Sequence, residues 1–281
     1  MQSFNNYNYT LAELSKRATN VNNDVIRKVD RQEMLKQILS LIDLTTLSGD
    51  DTTEKVIKLC NKAISFENKS AGISNVAAIC VYPVFADIVS NELSTTDIKT
   101  ACVAGAFPSG QSPLPLRIEE VKYAVSSGAQ EIDMVISRGK LIEGNSDFVF
   151  NEIATIKEAC GNAHLKVILE TGELKTVNLI KQASEIAILA GADFIKTSTG
   201  KIKPAATPEA MLIMLDTIKE YFEKTGKKIG IKPAGGISEV EDAIIYYSLV
   251  KEVLGSLWLS KKHFRIGASR LADNIYNEII K

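Results

Sequence analysis

Three charged side chains stand inside segments that otherwise read as buried strands. Lys196, Lys232 and Asp133 lie within the runs FIKTST, IGIKPA and EIDMVI. A charge in a buried strand is costly unless it is paired or used. Burial and a second nearby cation lower the pKa of a lysine, and a partly neutral lysine can attack a carbonyl to form a Schiff base. We therefore predict these three residues to be catalytic, with the aspartate holding the second lysine or relaying protons. The alternative is a buried ion pair without a catalytic role.

Histidine and cysteine contribute little to the predicted chemistry. The chain has two histidines, and both are predicted to precede strands, His164 the fifth and His263 the eighth. In a barrel that end serves stability rather than catalysis, so acid–base chemistry falls to carboxylates and lysines. The four cysteines form no CxxC pair, which argues against a thiolate zinc site or a redox centre and favours buried, reduced thiols.

Composition excludes several classes of partner. The 281 residues contain 33 Lys and Arg against 34 Asp and Glu, for a net charge of -1. No charge excess attracts nucleic acid or an anionic membrane. The first residues lack an apolar core of signal-peptide length, and no run approaches about 18 apolar residues. We expect a cytoplasmic protein.

The elements that must position these charges alternate along the chain. Eight candidate strands are separated by amphipathic segments, and this order favours parallel pairing. The predicted strands are Ile42–Leu47, Val76–Tyr82, Ala101–Phe107, Glu131–Ile136, Leu165–Thr171, Phe194–Thr199, Ile229–Ala234 and Phe264–Ala268. Eight such units fit an α/β protein with a (β/α)8 TIM barrel. A doubly wound open sheet is the competitor, but no GxGxxG turn follows an early strand.

The strand and helix rhythm begins near residue 41. We predict a barrel over residues 41–281 and a short, partly helical N-terminal extension over 1–40, a helix of which would cover the barrel floor. Helix starts are marked by capping boxes at Asp51–Glu54 and Ser238–Glu241, and by Thr207 before Pro208.

Glycines after the last three strands favour an anion. Backbone N–H groups can approach a phosphate closely at glycine, and the loops after strands seven and eight of a barrel commonly bind phosphate. The glycines and their polar neighbours are Gly200, Lys201, Gly235, Gly236, Gly267 and Ser269. Since tight turns also use glycine, one pair alone is weak evidence; the repeated pattern favours a small phosphorylated substrate.

Several stretches together resemble the deoxyribose-phosphate aldolase family. They are LKVILETGEL, ADFIKTSTGK, GIKPAGG, FRIGAS, IDLTTL and AICVYP, and they span the chain from about Ile42 to about Leu271. The resemblance implies a class I aldolase that reversibly cleaves 2-deoxy-D-ribose 5-phosphate into acetaldehyde and D-glyceraldehyde 3-phosphate. It implies no metal and no organic cofactor. The expected partner is the phosphorylated sugar, and a homodimer is left open.

The resemblance also assigns roles by position. It implies Lys196 as the Schiff-base lysine, Lys232 as the lysine that perturbs it and Asp133 as the proton-relay carboxylate. Asp43, Thr45 and Thr199 would line the sugar pocket. The phosphate would be held by the residues of the glycine loops, namely Gly200, Lys201, Gly235, Gly236, Gly267 and Ser269.

Two positions depart from the family pattern. Ser238 stands where members often carry Arg, and Arg270 where they often carry Ser. We hypothesise that Arg270 supplies the positive charge that is absent at Ser238 and so keeps the phosphate charge balanced. Two other functions stay open: another class I barrel aldolase acting on a different sugar phosphate, and a catalytically idle sugar-phosphate-binding barrel.

Overall fold

Eight parallel strands form one sheet in the computed structural model, which describes residues 4–26 and 30–281. The strand order is β7-β6-β5-β4-β3-β2-β1-β8. Parallel bridges from Ile231 to Phe264 and from Ala234 to Gly267 join the two ends of the sheet. The predicted (β/α)8 barrel is confirmed, and the open doubly wound sheet is excluded because its two outer strands would stay unpaired.

Helices separate the strands throughout the barrel. In chain order the elements are α1 (Leu11–Ile26), α2 (Arg31–Ser40), β1 (Ile42–Thr45), α3 (Thr53–Ser65), β2 (Ala78–Val81), α4 (Ala86–Glu92), β3 (Lys99–Ala104), α5 (Leu114–Ser126), β4 (Glu131–Val135), α6 (Arg138–Ile142), α7 (Ser146–Ala159), β5 (His164–Ile168), α8 (Thr171–Leu174), α9 (Val177–Leu189), β6 (Phe194–Lys196), α10 (Pro208–Thr225), β7 (Gly230–Lys232), α11 (Val240–Leu254), β8 (Ile266–Ala268) and α12 (Leu271–Ile279).

The strands are found where they are expected, but several end earlier than predicted. Strand β6 stops at Lys196 rather than Thr199, and β7 stops at Lys232 rather than Ala234. Beyond these ends the chain turns through left-handed backbone at Gly200 and Gly235. The polar and glycine residues that look like strand ends therefore form the loops above the barrel.

The apolar core lies between the strands and the outer helices. Helix α10 shows the pattern, since Met211, Leu212, Leu215 and Ile218 are fully buried. Its start is also confirmed: the Thr207 side chain accepts a hydrogen bond from the Ala210 N–H. This packing fixes the barrel without using its interior, which leaves the interior open to polar groups.

Two predicted helix caps are shifted by one residue. Helix α3 is capped by Thr52, whose hydroxyl accepts from the Lys55 N–H, while Asp51 instead accepts from Thr46 and Ser48. Helix α11 has its capping box at Glu239 rather than at Ser238. Sequence spacing alone does not separate adjacent candidate caps, because the choice depends on which residue is extended.

The N-terminal extension lies along the outer helices and not over the barrel floor. Helix α1 packs against α10 and α11, and α2 packs against α12 and α11. The Arg17 guanidinium donates both Nη atoms to the Asp216 carboxylate, at 2.6 and 2.8 Å. Beneath the strands a cavity of about 700 Å³ stays open, lined by residues such as Glu131, His164 and Arg265. The floor-covering helix was a wrong prediction. Residues 1–3 and 27–29 of the predicted extension lie outside the described part.

Histidines and cysteines occupy structural positions. His164 is the exposed first residue of β5, and His263 precedes β8, so both lie at the floor end as predicted. All four cysteines are buried and unpaired. Within residues 4–26 and 30–281, no helix is long and apolar enough to cross a membrane.

Candidate active site

Lys196, Lys232 and Asp133 meet inside the barrel. They come from β6, β7 and β4, and the strand register places Lys196 beside Lys232. Asp133 Oδ2 accepts from both ammonium groups, at 2.7 Å each. All three side chains are at least 97% buried. The structure thus brings together the three residues that the sequence marks by a charge within a strand.

Four further charged groups complete this cluster, and the sequence analysis missed the roles of all of them. Lys166 lies 2.6 Å from Glu131 and 2.8 Å from Asp133. Arg265 donates to Glu131 and to Asp43 at 2.7 Å each. The signal was available: Lys166 lies within LKVILET, a charge inside an apolar strand like that of Lys196. Glu131 and Arg265 gave no such signal. Glu131 is the first residue of β4 and Arg265 precedes β8, and a charged residue at the start of a strand does not stand out from the sequence around it.

Asp43, which the resemblance places in the sugar pocket, does not line the cavity at the mouth of the barrel. Its side chain is fully buried below the mouth, where Oδ2 accepts from Lys232 at 2.5 Å and Oδ1 from Arg265 at 2.7 Å. Thr45, two residues further along β1, points the same way but lies one layer higher and does line the mouth cavity. The physical reason is depth along β1: Asp43 lies two residues closer to the barrel floor than Thr45, so its side chain stays below the cavity.

The cluster separates the two lysines electrostatically. Burial, helped by the neighbouring Lys232 ammonium, lowers the pKa of Lys196 below its ordinary value despite Asp133. Burial would also lower the pKa of Lys232, but Asp133 and Asp43 together raise it. Three lysines hold the pKa of Asp133 well below its usual range, against the effect of its burial. Lys196 is therefore the better nucleophile, and Lys232 stays a cation.

A cavity of about 370 Å³ opens at the mouth of the barrel, and Lys196 lies at its base. Its lining includes nearly all the residues predicted to bind substrate. These are Thr45, Thr199, Gly200, Lys201, Gly235, Gly236, Gly267 and Ser269. A substrate in this cavity would meet Lys196, whereas Lys232 and Asp133 lie behind it.

Close backbone approach explains the glycines of this cavity. Gly200 and Gly235 both have left-handed backbone, with φ of 76° and 83°. A Cβ added at Gly235 would lie 2.8 Å from the Gly200 Cα, and one at Gly267 would lie 3.1 Å from Lys232 Cε. The first pair brings two loops together at the mouth, and the third glycine leaves room for the buried lysine.

Glu170 is a further residue that the sequence analysis missed. It is buried at the end of β5 with a left-handed backbone, φ 57°. The Glu170 carboxylate accepts two hydrogen bonds from Thr199, one from the backbone N–H at 3.2 Å and one from the hydroxyl at 2.5 Å. A strained residue of this kind is held by its surroundings, and here it orients a threonine at the mouth.

Both departures from the family pattern lie at the same mouth. Ser238 and Arg270 line the cavity, and Arg270 immediately precedes α12. Lys201 also lines it, and its ammonium donates to the carbonyl of Leu47 across the cavity. Lys201 and Arg270 therefore add two positive side chains to a cavity that is otherwise lined mostly by glycines and hydroxyl-bearing residues, which suits an anionic group.

An eight-stranded barrel whose mouth cavity ends on a buried, pKa-lowered lysine is the arrangement of a Schiff-base aldolase. The comparison with protein families agrees. The family model described as DeoC/LacD family aldolase matches residues 37–252. The chain belongs to this family of aldolases.

Relatives over most of the chain carry a common name. The human deoxyribose-phosphate aldolase is 44% identical over 267 residues, covering 90% of this chain and 83% of the relative. A solved aldolase named QR15 is 30% identical, with a TM-score of 0.66 over 86% of this chain and 96% of that one. The deoxyribose-phosphate aldolase from Aeropyrum pernix, described as a tetramer, shares the fold with a TM-score of 0.72 at 24% identity, over 94% and 98% of the two chains.

Proposed function

We propose that this aldolase reversibly cleaves 2-deoxy-D-ribose 5-phosphate into acetaldehyde and D-glyceraldehyde 3-phosphate through a Schiff base on Lys196. The observation that carries the proposal is the position of Lys196, 3% exposed at the base of a mouth cavity that is lined mostly by glycines and hydroxyl-bearing residues. The name shared by the relatives supports the substrate.

The chemistry uses Lys196 first as a nucleophile. Its neutral amine attacks the C1 aldehyde of the open-chain sugar, and loss of water leaves a protonated imine. This imine withdraws electrons through C2, so the C2–C3 bond breaks as the C3 hydroxyl loses its proton. Cleavage between C3 and C4 would leave electrons that the imine cannot accept. D-Glyceraldehyde 3-phosphate leaves, the enamine takes a proton at C2, and hydrolysis releases acetaldehyde and restores Lys196.

Asp133 and Lys232 would act on the proton. Asp133 Oδ2 bridges the two ammonium groups at 2.7 Å each, so it is adjacent to the imine nitrogen. A carboxylate with a strongly lowered pKa is a poor base by itself. Its role is to keep Lys232 charged and to orient a water that carries the C3 proton.

The glycine loops would hold the phosphate. Gly200, Gly235 and Gly236 line the cavity with left-handed backbone, the conformation in which successive N–H groups can bind an anion, and Lys201 adds a positive charge. Binding the remote phosphate positions C1 over Lys196 and converts binding energy into rate. Four buried, reduced cysteines support a reducing compartment such as the cytoplasm, and a homodimer stays a prediction.

Borohydride trapping tests the proposal. The chain is incubated with 2-deoxy-D-ribose 5-phosphate, reduced, digested and mapped by mass spectrometry. We expect the adduct on Lys196, and its loss in Lys196→Met together with a fall in turnover of at least about 10³-fold. The matched control Lys122→Met removes an exposed lysine paired with Glu119 and should keep both adduct and activity.

Three results would contradict the proposal. An adduct on Lys232 would reverse the roles of the two lysines, and the absence of any adduct would exclude the Schiff base. Faster aldol addition with dihydroxyacetone phosphate than with acetaldehyde as donor would indicate an aldolase for a different sugar phosphate.

A further inference from the structure

Seven charged side chains share the barrel interior, and all of them are almost fully buried. Four are cations and three are carboxylates, and each is at least 96% buried. They are Lys166, Lys196, Lys232, Arg265, Asp43, Glu131 and Asp133. If every group is ionised, one positive charge has no carboxylate to match it. Because an unmatched buried charge is costly, the cluster is most stable when one cation gives up its proton.

The contacts show which cation that is. Within the described residues, Lys196 has one carboxylate contact, with Asp133 at 2.7 Å. Lys232 has two, at 2.5 and 2.7 Å, and Lys166 has three, at 2.6, 2.8 and 3.6 Å. The Arg265 guanidinium stays protonated in proteins. Lys196 therefore loses least when it becomes neutral.

We propose that Arg265 and Glu131, here called the floor pair, each shift the charge balance of this cluster, and that the cancellation of their two opposite charges keeps Lys196 as its neutral member. Neither residue lines the mouth cavity; both line the cavity beneath the strands. They are positioning residues that act on Lys196 through Lys166, Asp43 and the charge balance. The inference rests on the proposed function only in taking Lys196 as the nucleophile.

The geometry of the floor pair suits this role. Arg265 donates to Glu131 at 2.7 and 3.0 Å and to Asp43 at 2.7 Å, so its charge is fully committed to the cluster. Glu131 in turn lies 2.6 Å from Lys166, which lies 2.8 Å from Asp133. A chain of direct ion pairs thus joins the floor to the carboxylate that touches Lys196.

Other ionisable groups around the two ends do not replace this balance. Besides the cluster, Lys196 is close to the Cys80 thiol, whose pKa is raised by burial, so it stays neutral. At the mouth, Glu170 is bonded to Thr199. Lys201 at the mouth also donates to a carbonyl. The groups that border the floor cavity beside Arg265 are Asp97, Lys99, His164, Lys261 and Lys262. These floor groups face water, which screens them.

The test is the pH dependence of turnover in charge variants of the floor pair. Arg265→Gln leaves three cations and three carboxylates, so Lys196 keeps its proton and the acidic limb of kcat/KM moves up by about one pH unit. Glu131→Gln leaves a larger positive excess, so the limb moves down by a similar amount. The double variant restores an excess of one, and its limb returns close to that of the original chain.

Controls separate this effect from damage to the fold. Lys261→Gln changes a floor cation outside the cluster and should leave the limb in place. Circular dichroism establishes that each variant is folded. If Arg265→Gln does not fold, Glu131→Gln still tests the downward shift of the acidic limb, and the double variant still tests whether that shift is cancelled.

Opposite shifts that cancel in the double variant support the proposal, because a purely structural role lowers turnover without moving the limb in two directions. Unmoved limbs, or shifts of the same sign in both single variants, overturn it. Borohydride trapping of the original chain distinguishes failure of this proposal from failure of the proposed function. If Lys196 is trapped but the acidic limbs do not move, only the role of the floor pair is contradicted.

Discussion

The wall of the barrel interior differs between two groups of strands. Strands β2 and β3 present small apolar side chains, and the interior cluster there consists of Leu47, Ala78, Cys80, Ala101 and Val103. Strands β1 and β4 to β7, with Arg265 before β8, present the seven charges. The register sets the two groups side by side, since Asp43 pairs with Ala78 and Asp133 with Val103.

This difference shows how a barrel can hold a charged interior. Lysine and arginine side chains are long, and they reach one another across the barrel because the facing residues on β2 and β3 are small. The charges then satisfy each other by direct ion pairs, and Lys196 alone of the seven lines the mouth cavity. We call β2 and β3 the apolar wall, and the strands that carry the seven charges the charged wall.

The largest effect is expected on the charged wall. Asp133→Asn removes the carboxylate that three lysines share, and it enlarges the excess of positive charge buried in the barrel. We expect turnover to fall by about 10³-fold, and the free energy of unfolding to fall by about 3–5 kcal/mol. Steady-state kinetics and urea unfolding measure the two losses. A variant that unfolds like the original chain would show that the charges do not stabilise each other.

Acid should act on the charged wall before the apolar wall. The lysines and Arg265 hold the pKa of Asp43 and of Glu131 below their ordinary values, against burial. In the unfolded chain the pKa of an aspartate is about 3.9 and that of a glutamate is about 4.3. Because the folded-state values are depressed, their contribution to stability is complete above that range and is lost as the pH falls through the folded-state values.

Denaturant unfolding between pH 7 and pH 3 checks this expectation. The midpoint should fall steeply below about pH 4, and Asp43→Asn should show a shallower fall, because one depressed carboxylate is missing. An equal slope in both proteins would mean that Asp43 titrates alike in the folded and unfolded states. That result would contradict its contacts with Lys232 and Arg265.

On the apolar wall we expect a loss of packing with little change in chemistry. Val103→Ala removes two methyl groups from a fully buried site, at a cost of about 1–2 kcal/mol in the free energy of unfolding. The pH dependence of kcat/KM should stay the same, because no charge is altered. A shifted acidic limb in this variant would show that the two walls are not independent.

The smallest effect is expected outside both walls, at the mouth. Arg270→Ala removes a cation that lines the cavity beside Ser238. We expect KM for the phosphorylated substrate to rise by up to about tenfold with kcat little changed, as for loss of uniform binding. The control substrate is 2-deoxy-D-ribose, which lacks the phosphate, and Arg270→Ala should not change its KM. An unchanged KM for the phosphorylated sugar would reject the idea that Arg270 compensates for Ser238.

The sequence predicted the barrel well because its signals are local. Eight apolar runs alternating with amphipathic segments require parallel strands covered by helices, and this holds whatever the outer helices pack against. Lys196, Lys232 and Asp133 were found for the same reason: a charge stands out against an apolar strand. Strand ends and helix caps were less certain, because Thr52 and Glu239 are chosen over their neighbours only by backbone conformation.

The amino-acid sequence by itself determined the fold, the residues able to form a Schiff base and the glycine loops at the mouth. Only the tertiary structure decided the depth of each charge and its partners. Asp43 lies below the cavity, and Arg265, which immediately precedes β8 and lies 222 residues further along the chain, donates to the Asp43 carboxylate. The physical reason is that the proton count of a buried cluster depends on all its members at once, and closure of the barrel is what brings them together.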